Sequence, residues 1–235
     1  MKRFWDTAET VADGEGWRIQ LDGKPVRIPG GATLTVPSRK LADAIAAEWQ
    51  VAGGEKGGEF NLQAMALTRL AGTAQERVAP ARETIALELA RFGETDLLCY
   101  RAERPPRLVE RQHAEWQPWL DWADRTHGAR LAVTAGIIHV PQDSKALAAL
   151  AAAVAAHDTF GLAALGVLVP ALGSLVLGLA VAGGALSGAE AHAISALDDI
   201  FQEELWGRDA DAHAGRLRVA AEMVLAENFL ILARA

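Results

Sequence analysis

Trp17-Arg18-Ile19-Gln20-Leu21 alternates apolar and polar side chains, the period of a half-buried strand. Asp22-Gly23 follows as a hairpin turn, Pro25-Val26-Arg27-Ile28 alternates again, and Pro29-Gly30-Gly31 leads into Thr33-Leu34-Thr35-Val36. Together they predict a small antiparallel unit. Beyond Ser38, placed as an N-cap, the period changes, and Leu41, Ile45 and Trp49 recur at the spacing of one helix face. Helical patterns then cover 65–78, 80–92, 106–126, 143–157, two pieces within 160–183, 187–206 and 209–235, with one strand-like interruption at 131–140. The fold class expected is α+β: a small N-terminal antiparallel β domain with its trailing helix over 1–58, and a larger mainly helical domain over 59–235. Gly53-Gly54-Glu55-Lys56-Gly57-Gly58 reads as the flexible connection near the boundary.

One stretch tests the globular reading. No charged residue occurs from Thr159 to Ala189, and Phe160 to Leu186 is almost wholly apolar. As one helix it would be about 40 Å long, enough for a bilayer core of roughly 30 Å. Pro170, glycines at 161, 166, 173, 178, 183 and 184, and the lack of basic flanks favour two buried core helices joined at a break. No stable membrane insertion is expected.

Composition narrows the function. The chain has 235 residues, 51% of them hydrophobic, so it can close a core without disulfides or a structural metal. Its net charge of −7 argues against a general nucleic-acid binder, which needs basic surface to displace counterions from phosphate. The lone cysteine, Cys99, excludes an intrachain disulfide and suits a reducing compartment. No apolar run follows Lys2-Arg3, so the start does not read as a secretory signal.

Motifs that would mark an enzyme are missing. There is no phosphate loop, no Gly-x-Ser-x-Gly elbow, no His-Glu-x-x-His and no dinucleotide fingerprint. The six histidines, at 113, 127, 139, 157, 192 and 213, form no close ligand pair, so neither a metal nor a cofactor is expected. Cys99 lies in the apolar run Leu97-Leu98-Cys99-Tyr100, where a thiol behaves as a small hydrophobe.

The segment 187–211 is the most specific. Ser187 and Glu190 have capping-box spacing, and Gly207 stands where a helix of some nineteen residues would end. Ile194, Leu197, Phe201 and Leu205 form an apolar stripe, while Asp198, Gln202 and Trp206 recur four apart on another face beside Asp199. Seven carboxylates against Arg208 leave −6 of the chain's −7 here. Glu203 and Glu204 in the last turn oppose the helix dipole, which points to a face kept for a partner.

Ordered blocks along the chain then carry a resemblance. They are Lys2-Arg3-Phe4-Trp5, Leu21 to Pro29, Ala47-Glu48-Trp49-Gln50, Leu67 to Ala74, Glu94-Thr95-Asp96-Leu97-Leu98-Cys99-Tyr100-Arg101, Gly173 to Leu177, and Leu197-Asp198-Asp199 with Trp206-Gly207. In these the chain resembles the Atp-twelve family of assembly chaperones, which act on the alpha subunit of the catalytic head of F-type ATP synthase. The resemblance implies a non-enzymatic chaperone without a cofactor, whose partner is that alpha subunit. It implies partner-binding roles for Asp198, with Asp199, Gln202 and Trp206 on the same face, and for Trp49. It also implies the bacterial cytoplasm, or the mitochondrial matrix for a trimmed eukaryotic member. The alternative from the residues alone is an enzyme or small-molecule binder with a site in the cleft between the β and helical domains.

Overall fold

A computed structural model describes residues 1–235. Its internal packing groups the chain into two units: Met1–Arg82 with Thr159–Ala164 and Asn228–Ala235, and Glu83–Asp158 with Leu165–Glu227. The architecture is mixed, with a small N-terminal antiparallel sheet followed mainly by helices, as the alternation at the start and the later helical periods predict.

The first unit is built around β2 (Gly16–Leu21), which pairs along its length with β1 (Ala8–Asp13) in the register Ala8↔Leu21 to Asp13↔Gly16. Its other edge takes two short strands, β3 (Lys24–Pro25) and β4 (Thr35–Val36). Asp22 and Gly23 both have positive φ, 47° and 75°, the backbone a two-residue hairpin needs to match strand twist. Segment 33–35 gains a surrogate neighbour in Gln75, whose side chain accepts from Thr35 N at 3.1 Å and donates to Thr33 O at 2.8 Å.

Helix α1 (Arg39–Val51) buries Leu41, Ala42, Ile45, Ala46 and Trp49. Ser38 caps it as predicted, accepting from Leu41 N at 3.0 Å. The segment 53–58 is a hydrogen-bonded loop. The buried Arg3 guanidinium donates to Gln50 O at 2.7 Å and Gly54 O at 2.5 Å, and Gly57 N donates back to Arg3 O at 2.8 Å. Helix α2 (Ala66–Thr73) has no side-chain cap of its own; Glu48 on α1 supplies one, accepting from Leu67 N at 2.8 Å and Thr68 N at 2.9 Å.

Helix α3 (Arg82–Ala90), in the second unit from Glu83 onward, leads through short 3-10 turns to β5 (Tyr100–Arg101), which pairs in parallel with β6 (Thr134–Ala135). Helix α4 (Pro106–His127) ends on left-handed Gly128, and α5 (Ser144–Ala155) is capped by Asp143. The apolar stretch forms α6 (Thr159–Leu172) and α7 (Leu175–Ala182), broken at Gly173 with φ of +61°. Every residue of α7 is buried, and no helix is long and apolar enough to cross a membrane.

A buried carboxylate stands at that break. Asp96 is fully enclosed and accepts from Leu98 N at 3.1 Å and from Val176 N at 3.0 Å, the latter a buried first-turn amide of α7 that has no acceptor within its own helix. Burial pushes its carboxyl up to about 6, against the opposing pull of its hydrogen bonds to Val176, Ser174, Leu98 and Leu175.

Where one helix is predicted over 187–206 the chain forms two, α8 (Gly188–Ser195) and α9 (Leu197–Trp206), with the break at Ala196. The expected capping box of Ser187 and Glu190 opens α8. Asp209 then caps α10 (Ala210–Ala233), accepting from Ala212 N at 2.8 Å.

Candidate partner-binding site

The break at Ala196 gives α9 an N-terminus of its own, and Asp198 and Asp199 occupy its first turn, where carboxylates complement the helix dipole. Leu197 and Phe201 are buried and fix the inner side of the helix. Asp199, Gln202 and Trp206, three and four residues apart, share the outer side and are all exposed. Trp206 is 78% exposed, and Leu205, expected in the apolar stripe, is exposed beside it. Gly207, with φ of +93°, ends the helix directly after this aromatic tip.

Asp198 sits differently. It is half-buried, and its Oδ1 accepts from Gln112 Nε2 on α4 at 2.8 Å. Gln112 is itself buried and accepts from Ala102 N at 2.7 Å through its other amide atom, which fixes the orientation of the side chain. The Gln112 carbonyl takes a further bond, from Arg101 Nη1 at 2.6 Å. Asp198 is thus the outer member of a hydrogen-bonded chain that ends in the β5 segment.

The glutamates of the last turn are matched within the protein. Glu204 pairs with Arg111 at 2.8 Å, and Glu203 pairs with Arg216 on α10 at 2.5 Å. The Arg216 hydrogen bond holds the Glu203 carboxyl below the usual carboxylate range. Desolvation, and then the same arginine, lowers the pKa of nearby His192. These pairs offset the adverse position of both glutamates near the helix C-terminus, so the open polar groups are Asp199 and Gln202 at its outer side.

Trp49 lies in the first unit and is 6% exposed. Its indole N–H donates to Thr68 Oγ1 at 3.1 Å, and its ring stands edge-on to Trp5 at 5.2 Å and Phe60 at 5.8 Å. No His, Cys, Asp and Glu side chains gather in groups of three or more that could hold a metal ion. Cys99 is buried, and desolvation pushes its thiol up to about 12.

The family model described as "ATP12 chaperone protein" matches residues 2–124. The chain belongs to this family. ATP12 relatives match it nearly end to end in structure: Atp12 from Paracoccus denitrificans is 44% identical, with a TM-score of 0.94 over 99% of this chain and 98% of that one. The Atu1473 protein of Agrobacterium tumefaciens is 35% identical, with a TM-score of 0.91 over 100% of this chain and 86% of that one. Among curated sequences, the mitochondrial protein atp12 of Schizosaccharomyces pombe is 28% identical over 221 residues, spanning 90% of this chain and 76% of its own length.

Within this ATP12 chain, sequence patterns pointed to α9 but not to the residues that hold it. Gln112 and Arg111 come from α4, 86 and 93 residues away from their partners, and Arg216 from the helix that follows, α10. The unbalanced charge of 187–211 was the available signal that cations from elsewhere must approach it.

Proposed function

We propose that this protein is an ATP-independent chaperone that binds the unassembled alpha subunit of F-type ATP synthase and shields its subunit interface during assembly of the catalytic head. Membership of the ATP12 chaperone family supports the reading. The observation that carries it to a site is the exposed Trp206 at the tip of α9, next to Leu205 and on the same outer side as Asp199 and Gln202. A large aromatic held open at the end of a short helix, with polar groups around it, has the composition of an interface anchor. Asp198 is the half-buried support at the start of that helix. An alpha subunit without its neighbours exposes broad apolar surface, which aggregates until covered.

The test mixes the purified protein with isolated alpha subunit and follows co-purification and light scattering without nucleotide. Binding together with suppressed scattering is the expected result. No recovered alpha subunit and unchanged scattering would overturn the proposal.

A further inference from the structure

The joint between α8 and α9 is gripped by one neighbouring helix. In an unbroken helix the Ile194 carbonyl would accept from the Asp198 amide, four residues on. At the joint the Trp116 indole N–H donates to that carbonyl at 2.9 Å, and Gln112 Nε2 donates to the Asp198 carboxylate at 2.8 Å. Both donors stand on α4, four residues apart, and so share one face of it. Two side chains of α4 thus hold the two residues that a continuous helix would have joined.

Neither donor is free to turn. Gln112 and Trp116 are each 1% exposed. The Gln112 amide is tied at its oxygen, which accepts from Ala102 N at 2.7 Å and leaves the nitrogen to face α9. Arg101 backs both side chains: its Nη1 donates to the Gln112 carbonyl at 2.6 Å, and its guanidinium lies 5.4 Å from the centre of the Trp116 ring. Helix α9 has no side-chain cap of its own, since Ala196 holds the N-cap position. The ion pairs of Glu203 and Glu204 hold the last turn, so the Gln112 bond is the polar tie of the first.

A tie at this end has leverage. Over the ten residues of α9, about 15 Å, a tilt of roughly 10° at the joint moves the far end by about 2.5 Å. Trp206 stands at that far end. We infer that Gln112 is a positioning residue: acting through Asp198, and beside Trp116, it sets the direction in which α9 carries Trp206 to the client. This rests on the proposed chaperone function, and it makes the Asp198 carboxylate an internal link between α4 and α9.

The experiment is a reciprocal exchange in the full chain. Gln112→Glu keeps the side-chain length and an acceptor for Ala102 N, and sets a second carboxylate against that of Asp198. Adding Asp198→Asn restores the bond with donor and acceptor exchanged. Gln112→Glu should lower affinity for isolated alpha subunit by about tenfold, and the double variant should recover it to within about threefold. Without client, hydrogen exchange of amides 198–206 should quicken by about tenfold in the single variant and return in the double one, while the amides of α7 stay protected. Where the buried charge unfolds the single variant, Gln112→Met removes the same donor without it and should show the same loosening and weaker binding. Unchanged affinity in the Gln112 variants, a loss that Asp198→Asn leaves in place, or a loss with exchange in α9 unaltered overturns this inference alone. Failure of the unaltered protein to bind alpha subunit overturns the chaperone reading and this inference with it.

Discussion

Asp96 accepts a hydrogen bond from the Val176 amide at 3.0 Å, joining a carboxylate before β5 to the first turn of a helix with no exposed residue. The contact lets an apolar helix start inside the protein, because its free amides find an acceptor without water. The carboxylate is costly to bury in its charged form.

The pH dependence follows. The folded-state value of about 6 lies above the ordinary 3.8, so the folded protein binds this proton more tightly than the unfolded chain does. Stability from this group therefore rises as pH falls from 7 through 6, and levels off below about 4, for a total of about 3 kcal/mol. Other carboxylates act in the opposite direction, so the measurement is a difference. Urea denaturation of the protein and of Asp96→Asn between pH 7 and 4 should show the unaltered chain gaining on the variant as acid is added. A flat difference counts against it.

At α9, stability and binding should separate. Trp206→Ala removes a side chain that faces solvent, so unfolding should change by no more than about 0.5 kcal/mol while alpha-subunit affinity falls by about 2–4 kcal/mol. Asp198→Asn keeps an acceptor for Gln112 and should shift stability by less than about 1 kcal/mol. Asp198→Lys loses that acceptor and should melt earlier. Calorimetric titration alongside thermal melts reads both quantities.

Trp49 gives the reverse pattern. Because it is enclosed by Trp5 and Phe60, Trp49→Ala should cost about 3–5 kcal/mol, and Trp49→Phe, which keeps one aromatic ring but loses the pyrrole part and its bond to Thr68, about 1–3 kcal/mol. Affinity per folded molecule should be unchanged in the phenylalanine variant. A loss of affinity at full folding would return Trp49 to the interface.

Gly188 marks a close approach between α8 and α10. A Cβ placed there would lie 2.5 Å from the Met223 carbonyl oxygen, and a backbone atom cannot rotate away. Gly188→Ala should destabilise by about 2–4 kcal/mol despite alanine's better helix propensity. Chemical denaturation monitored by tryptophan fluorescence checks this.

The elements easiest to read in the sequence are those whose signals are local. The Asp22-Gly23 turn, the caps at Ser38 and Ser187, and the uncharged stretch with its glycine break each act through neighbours a few residues away. Strand β1 escaped because its residues are half-covered on both faces and show no alternation. The break at Ala196 escaped because neither glycine nor proline marks it. Cross-chain partners left no pattern either: Glu48 capping α2 and Gln112 bonding Asp198 depend on tertiary approach. For Trp49 the periodicity with Leu41 and Ile45 already placed it on the buried stripe, where the structure has it.

Cys99 is the chain's only thiol, and it is buried with its ionisation suppressed to about 12. Thiol-directed dyes react with the thiolate, so the folded protein is a silent background for labelling. A cysteine introduced beside Trp206 by Leu205→Cys, at an exposed position, would carry a polarity-sensitive fluorophore alone, without removing any native residue to prevent cross-labelling. The molecule can in this way be made its own optical reporter of whether the end of α9 passes from water to a covered surface.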